Sequence, residues 1–254
     1  MKSLKPLLLA TLMLWTYVGY GQIDKIKKAS HSHSSSSGKS SSGDNGRSGN
    51  NSAFALWAFW QAGKGMILWQ MYQLNQKDTI PSIISLEVMP QVGIQPPDNY
   101  WLLPRIRGNW GLFSMDFRYN FLMEDDALEG KIKSLGTFDW QIVQLNFVNT
   151  RPVTVRAGFG TMIENFGDHN AYFEWTLGGD LRLKEGKLGG GLEYRATESH
   201  FGIMPRREIN ARVEYQLFQW HRLKGYGTLG GIFQRYYSDI NVWGMQTGFI
   251  FRLQ

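Results

Sequence analysis

The stretch that most constrains this chain is LFSMDFRYNFLM, from Leu112 to Met123. Its odd positions, Phe113, Met115, Phe117, Tyr119 and Phe121, are apolar or aromatic, whereas Ser114, Asp116, Arg118 and Asn120 between them are polar. Strict period-two alternation of this kind is the signature of a β-strand that separates an apolar phase from a polar one. The rest of the sequence has to say which phase lies inside.

The alternation recurs throughout the chain after Pro81. Ile84, Leu86, Val88, Val92 and Ile94 oppose Ser85, Glu87, Gln91 and Gln95, and Leu102, Ile106 and Trp110 oppose Arg105, Arg107 and Asn109. Phe138, Trp140 and Ile142 alternate with Asp139 and Gln141, after which the phase slips by one residue, so that Val143, Leu145 and Phe147 oppose Gln144 and Asn146. Such a slip predicts a β-bulge near Ile142. Further runs set apolar positions against Arg156, against Glu174, Asp180 and Arg182, against Glu193 and Arg195, against Arg212 and Glu214, and against Gln246 and Arg252. With the Gly-rich 223–236, the count is ten strands.

The connections alternate between tight and longer or more polar. Asn109–Gly111, Asn149–Arg151, Lys184–Lys187 and Phe218–Arg222 are tight, and 95–100, 124–136, 163–170 and 198–207 are longer. This asymmetry is expected of an up-and-down barrel, and in outer-membrane barrels the short turns face the periplasm. An even strand count then puts both termini in the periplasm, and the Ser-rich arm with them. A soluble barrel with an apolar interior would show the same meander, but roughly fifty large apolar side chains exceed what a barrel this narrow can enclose. The polar face, with Gly158, Gly160, Gly189 and Gly191 between long Arg and Glu side chains, suits a lumen. Aromatics near strand ends read as interfacial girdles: Tyr100, Trp101, Phe138, Tyr172, Tyr236, Tyr237 and Trp243 toward one rim, and Trp110, Phe147 and Trp220 toward the other. The fold class expected is therefore all-β, a ten-stranded antiparallel up-and-down transmembrane β-barrel over 82–254 with a short N-terminal helix.

What precedes the barrel divides by composition. Residues 1–21 read as a signal peptide, with Lys2 and Lys5 before an apolar run from Leu7 to Trp15 and small Gly19 and Gly21 ahead of Gln22. Residues 22–52 read as a disordered Ser-rich arm. His31 and His33 could share a cation, although a solvated tail needs no metal. Residues 53–76 hold Trp57, Trp60, Trp69 and Tyr72 without alternation, and read as a helix interrupted near Gly63 and Gly65, with a short hairpin as the alternative. Such a helix could lie in a bilayer interface or pack on the barrel. The chain has no cysteine, so disulfides and a lipoprotein anchor are excluded. Export without disulfides fits a Gram-negative envelope. The net charge is +6, but it is concentrated before residue 53 and gives no ground for nucleic-acid binding.

SLEVMPQVGIQP from Ser85, PRIRGNWGLFSMDFRYNFL from Pro104 and DWQIVQLN from Asp139 resemble segments of a family of uncharacterised outer-membrane β-barrel proteins of Gram-negative bacteria. The resemblance implies the barrel fold and carries no activity or site residue with it.

The inward-facing charges are the candidate functional residues: Glu87, Arg105, Arg107, Asp116, Arg118, Asp139, Arg156, Glu174, Asp180, Arg182, Glu193, Arg195, Arg212 and Glu214, with Arg252. Confined in a narrow barrel they must pair or stay hydrated, so a cross-strand charge ladder is expected. The alternative is a narrow path for small polar or anionic solutes, with Arg105, Arg107 and Arg118 selecting anions. A lipid-modifying hydrolase is the second alternative. It would need a Ser–His pair, and adjacent Ser199 and His200 point to opposite sides of an extended segment, while His169 and Ser238 fall in other outer loops. The acidic Glu124, Asp125, Asp126 and Glu129 lack the spacing of a calcium loop. No cofactor, catalytic residue or metal ligand is assigned. The expected role is a non-enzymatic structural or interaction component of the outer membrane, in contact with outer-membrane lipid and with envelope proteins through the arm and helix.

Overall fold

A computed structural model describes residues 21–36, 84–126, 130–150, 152–198 and 203–253. Most of the expected signal peptide, the rest of the Ser-rich arm and the Trp-rich segment 53–76 lie outside these described residues. The described chain forms one helix, α1 (Gln22–Ser36), followed by β1 (Ile84–Met89), β2 (Gln91–Gln95), β3 (Asn99–Leu102), β4 (Arg105–Trp110), β5 (Phe113–Asp126) and β6 (Lys131–Asn149). After these come β7 (Val153–Glu164), β8 (Ala171–Leu183), β9 (Leu188–Thr197), β10 (Arg206–Trp220), β11 (Leu223–Tyr236) and β12 (Ile240–Leu253).

These segments make ten staves. Proline has no N–H to give to a ladder, and Pro90 and Pro104 interrupt the first two staves into β1–β2 and β3–β4. Neither break shifts the pairing. Val88 faces Phe251 before Pro90 and Val92 faces Thr247 after it, while Leu102 faces Phe121 before Pro104 and Arg105 faces Arg118 after it. The proline carbonyls remain in use, Pro90 accepting from Phe249 N–H and Pro104 from Tyr119 N–H. Each stave pairs antiparallel with its sequence neighbours, and β12 returns to β1 and β2, so the barrel closes without a free edge. The register of β6 against β7 shifts between Trp140 and Val143, where the phase slip predicts a bulge. Gly160 lets β7 close on that bulge, since a Cβ there would stand 1.9 Å from the Trp140 carbonyl oxygen.

The wall has apolar residues outside and polar residues inside. Along β5 the side chains of Ser114, Asp116, Arg118 and Asn120 are buried, and Phe113 on the other face is 50% exposed. The same polarity runs round the barrel, where Ile106, Trp140, Trp175, Leu192, Val213, Leu229 and Phe249 are all exposed.

The two rims differ less in loop length than the sequence suggests, because the strands run further. One rim carries the connections 111–112, 150–152, 184–187 and 221–222, and the other carries 96–98, 127–130, 165–170, 198–205 and 237–239. Ile84 and Leu253 both lie at the first, short-turn rim, where Ile84 faces Trp110 and Leu86 faces Leu253.

The helix overturns one expectation. Gln22–Ser36 is α-helical where the composition predicts a disordered arm, and it lies at the long-connection rim, opposite Ile84 and Leu253. The expectation that this arm shares a side with the barrel termini therefore does not hold for 22–36. The helix forms because the barrel supplies what its sequence lacks. Ile23 and Ile26 are fully buried, and with Ala29 they pack against Trp101, Leu103, Leu122, Leu135, Phe166, Ile232 and Val242. Three aromatics expected in a girdle belong to this inner layer: Trp101, Tyr236 and Tyr237 are buried at the helix-bearing mouth.

Candidate functional site: an ion-pair web across the lumen

Beneath the apolar layer, strand alternation delivers a charged side chain to the axis from nearly every stave. The pairs that result are not confined to neighbouring strands. In the ten-stave ring β5 stands diametrically opposite β10, and β4 opposite β9. Arg118 on β5 holds Asp139 on β6 at 2.5 Å and reaches across to Glu208 on β10, its Nη2 donating to Oε2 at 2.8 Å. Arg105 on β4 holds Asp116 through Nε at 2.8 Å and crosses to Glu193 on β9 through Nη2 at 2.6 Å.

Arg195 is the hub. It donates to Glu193 at 2.7 Å, Asp116 at 2.6 Å and Glu174 at 3.2 Å, and lies 3.8 Å from Asp139. Arg206 bridges Asp139 at 2.6 Å and Glu174 at 2.5 Å. Arg107 joins this group to the next, contacting Glu193 at 2.9 Å and approaching Glu87 at 3.8 Å and Asp180 at 4.0 Å. Nearer the short-turn rim Arg252 holds Glu87 at 2.6 Å and Glu214 at 3.4 Å, while Asp180 accepts from both Arg156 and Arg212.

Every one of these side chains is buried. Burying a lone charge is costly, and the cost is offset only where good geometry and further hydrogen bonds accompany the pairing. Arg105 and Arg118 illustrate the point: they face each other directly across β4 and β5, which would repel, yet each is turned to its own pair of carboxylates. Uncharged donors complete the web, Gln141 giving to Glu174 at 2.6 Å and Gln234 to Glu208 at 2.8 Å.

Of the fourteen charges expected in the lumen, thirteen belong to this one connected web. Arg182 does not: its guanidinium has no carboxylate within ion-pair distance among the described residues. Two members escaped the sequence reading. Arg206 falls in the connection expected to end at Arg207 and Glu208 just before the alternation that starts at Ile209, although Arg206, Glu208, Asn210, Arg212 and Glu214 continue one parity and β10 begins at Arg206.

The acidic cluster at the far rim also has a structural use. The Glu124 carboxylate accepts from the backbone N–H groups of Gly21 at 2.7 Å, Gln22 at 3.1 Å and Ile23 at 3.0 Å, and so caps α1. Helix N-termini present unpaired N–H groups and a positive dipole end, which a carboxylate satisfies. Lys133 bridges Asp24 of the helix and Asp126 at 2.6 Å each. Ser30 donates to Glu164 at 2.8 Å, and Tyr237 donates to the same carboxylate. Burial first, and then the Glu164 charge, push the Tyr237 phenol well above the ordinary tyrosine range. His31 lies 3.6 Å from Asp168. Glu129, Ser199 and His200 fall outside the described residues, and His169 and Ser238 sit in separate connections. Among the described residues no three His, Asp or Glu side chains are grouped to hold a metal.

The site thus consists of paired and capped charges, arranged to hold the wall and helix together. No protein-family model matches the chain, and no curated protein matches it.

Proposed function

We propose that the chain is an exported, non-enzymatic outer-membrane β-barrel that acts as a structural or interaction component of the Gram-negative envelope, with the short-turn rim toward the periplasm. The apolar outer wall supports the membrane reading, because exposed Trp, Phe, Leu and Ile around an entire barrel need an apolar solvent. The observation that carries the non-transport reading is the set of ion pairs spanning the full diameter, Arg118–Glu208 and Arg105–Glu193, beneath a mouth closed by α1. A solute would have to separate buried pairs to pass. The outward face of α1, with exposed Lys25, Lys28 and His31, is the surface offered to a partner.

Reconstitution tests this reading. A wild-type protein that is silent in planar bilayers, yet recovers partners in mild detergent that are lost when Lys25 and Lys28 are replaced by glutamate, fits it. Discrete conductance steps would favour the narrow anion path instead, and lipid turnover the hydrolase.

A further inference from the structure

Charge is unevenly distributed along the lumen. In the upper group the carboxylates Asp116, Asp139, Glu174, Glu193 and Glu208 meet Arg105, Arg118, Arg195 and Arg206. Toward the short-turn rim the balance reverses. There the carboxylates are Glu87, Asp180 and Glu214, while the cations are Arg156, Arg182, Arg212, Arg252 and Lys224, with Arg107 shared between the groups.

These cations form one cluster. Lys224 is the direct cross-strand partner of Arg252, while Asp180 pairs with Arg156 and Arg212, lies 4.0 Å from Arg107, and stands two residues before Arg182 on β8.

The donors of this cluster are also underused. Arg156 Nε, Arg182 Nε, Arg212 Nε and Arg252 Nη1 are buried and have no hydrogen-bond acceptor among the described residues, and neither does the buried Thr154 hydroxyl; Glu87 Oε2 and Glu214 Oε2 beside them likewise lack a donor. Above the reversal Arg105, Arg118 and Arg195 have no such orphan atoms, and Arg206 has one, its Nε. At this level β9 contributes Gly189 and Gly191, whose missing side chains make way for Glu214, Asp180 and Arg212. Arg182 and Lys224 are partly exposed, so the cluster opens to the rim.

We propose that the short-turn mouth of the lumen is a binding site for a polyvalent oxyanion, a phosphate or phosphoryl group, held by Arg156, Arg182, Arg252 and Lys224. A tetrahedral oxyanion supplies several acceptors to planar guanidinium forks and neutralises the local surplus of positive charge. The site takes its ligand from the rim and requires no passage through the web. It stands independently of the membrane reading, because the cluster is defined by the lumen alone.

The test uses the full-length mature protein folded in neutral detergent micelles, titrated calorimetrically with inorganic phosphate and with pyrophosphate at fixed ionic strength. Saturable binding is expected, tighter for pyrophosphate. The Arg182→Gln/Lys224→Gln double variant should bind phosphate at least about tenfold more weakly, roughly the loss of one charged contact. Neither side chain belongs to the ion-pair web, so the variant should keep the wild-type heat-modifiable gel shift. Lys133→Gln, at the opposite rim, should bind like wild type. Absence of saturable binding by wild type, or equal binding by the double variant, would overturn the proposal.

Reconstitution then separates two sources of the same chemistry. If the natural occupant is a lipid headgroup, adding phosphatidylglycerol to phosphatidylcholine vesicles should weaken phosphate binding several-fold. If it is a free anion, the affinity should be the same in both.

Discussion

The two faces of the barrel wall are specified by different physics. Outside, Phe113, Ile106, Trp175 and Leu229 share only a need for apolar surroundings, and their contacts are ring against neighbouring ring, as in Phe117 stacked on Trp140 at 5.5 Å. Inside, each charge of the web has named partners at hydrogen-bond distance, some on the far side of the lumen. An outward position therefore asks for a class of residue, and an inward position asks for a particular one. The outer face should tolerate changes of shape and reject changes of polarity; the inner face should reject both.

Arg195→Leu breaks the comparison most severely. It leaves the carboxylates of Asp116, Glu174 and Glu193 short of a donor, and removing one partner of a buried pair costs about 3–5 kcal/mol. Urea unfolding in micelles should register that loss. On the outer face, Phe117→Arg should cost about 2–4 kcal/mol if the position lies near the bilayer midplane. Phe117→Leu, measured beside it in vesicles, should cost less than about 1.5 kcal/mol. Equal penalties for the two Phe117 variants would remove the distinction between the faces.

The helix is a third case, because it combines both kinds of specification. Ile26→Ala should cost about 2–5 kcal/mol of docking energy, read as protease sensitivity within 22–36 while the barrel itself stays resistant. Glu124→Ala should cost about 0.5–2 kcal/mol through loss of the cap, with the same readout. A barrel that unfolds along with the helix in either variant would mean that α1 is part of the barrel's core.

This contrast also explains what could be read in the sequence. Polarity alternates with strand pitch, so the facing of Asp116 against Phe117 and the bulge beside Ile142 were visible in the residues themselves. Pairing partners are set by barrel closure, and nothing local in Arg118 points to Glu208 ninety residues away. Arg206 and Glu208 were legible by parity but masked by a boundary set too late in the chain. Tyr236 shares the parity of Ile232 and Gln234, which places it in the lumen; judged only by its closeness to a rim, it looked like a girdle residue. The helix was hardest to see. Ser-rich composition argues against it, and its support comes from Glu124, Trp101 and Glu164, far away in sequence. The spacing of Ile23, Ile26 and Ser30 on one helical face was the only local sign.

The central claim is that the polar face of this wall is enclosed and its apolar face meets lipid. The absence of cysteine makes a single-cysteine scan along β5 the most direct measurement, with a spin label at successive positions from Phe113 to Phe121 in reconstituted vesicles. Accessibility to dissolved oxygen should alternate, high at Phe113, Met115, Phe117, Tyr119 and Phe121 and low at the residues between. A water-soluble nickel complex should be excluded from the apolar set at mid-depth. Free access of the nickel complex to Phe117 would contradict the account and return this barrel to water.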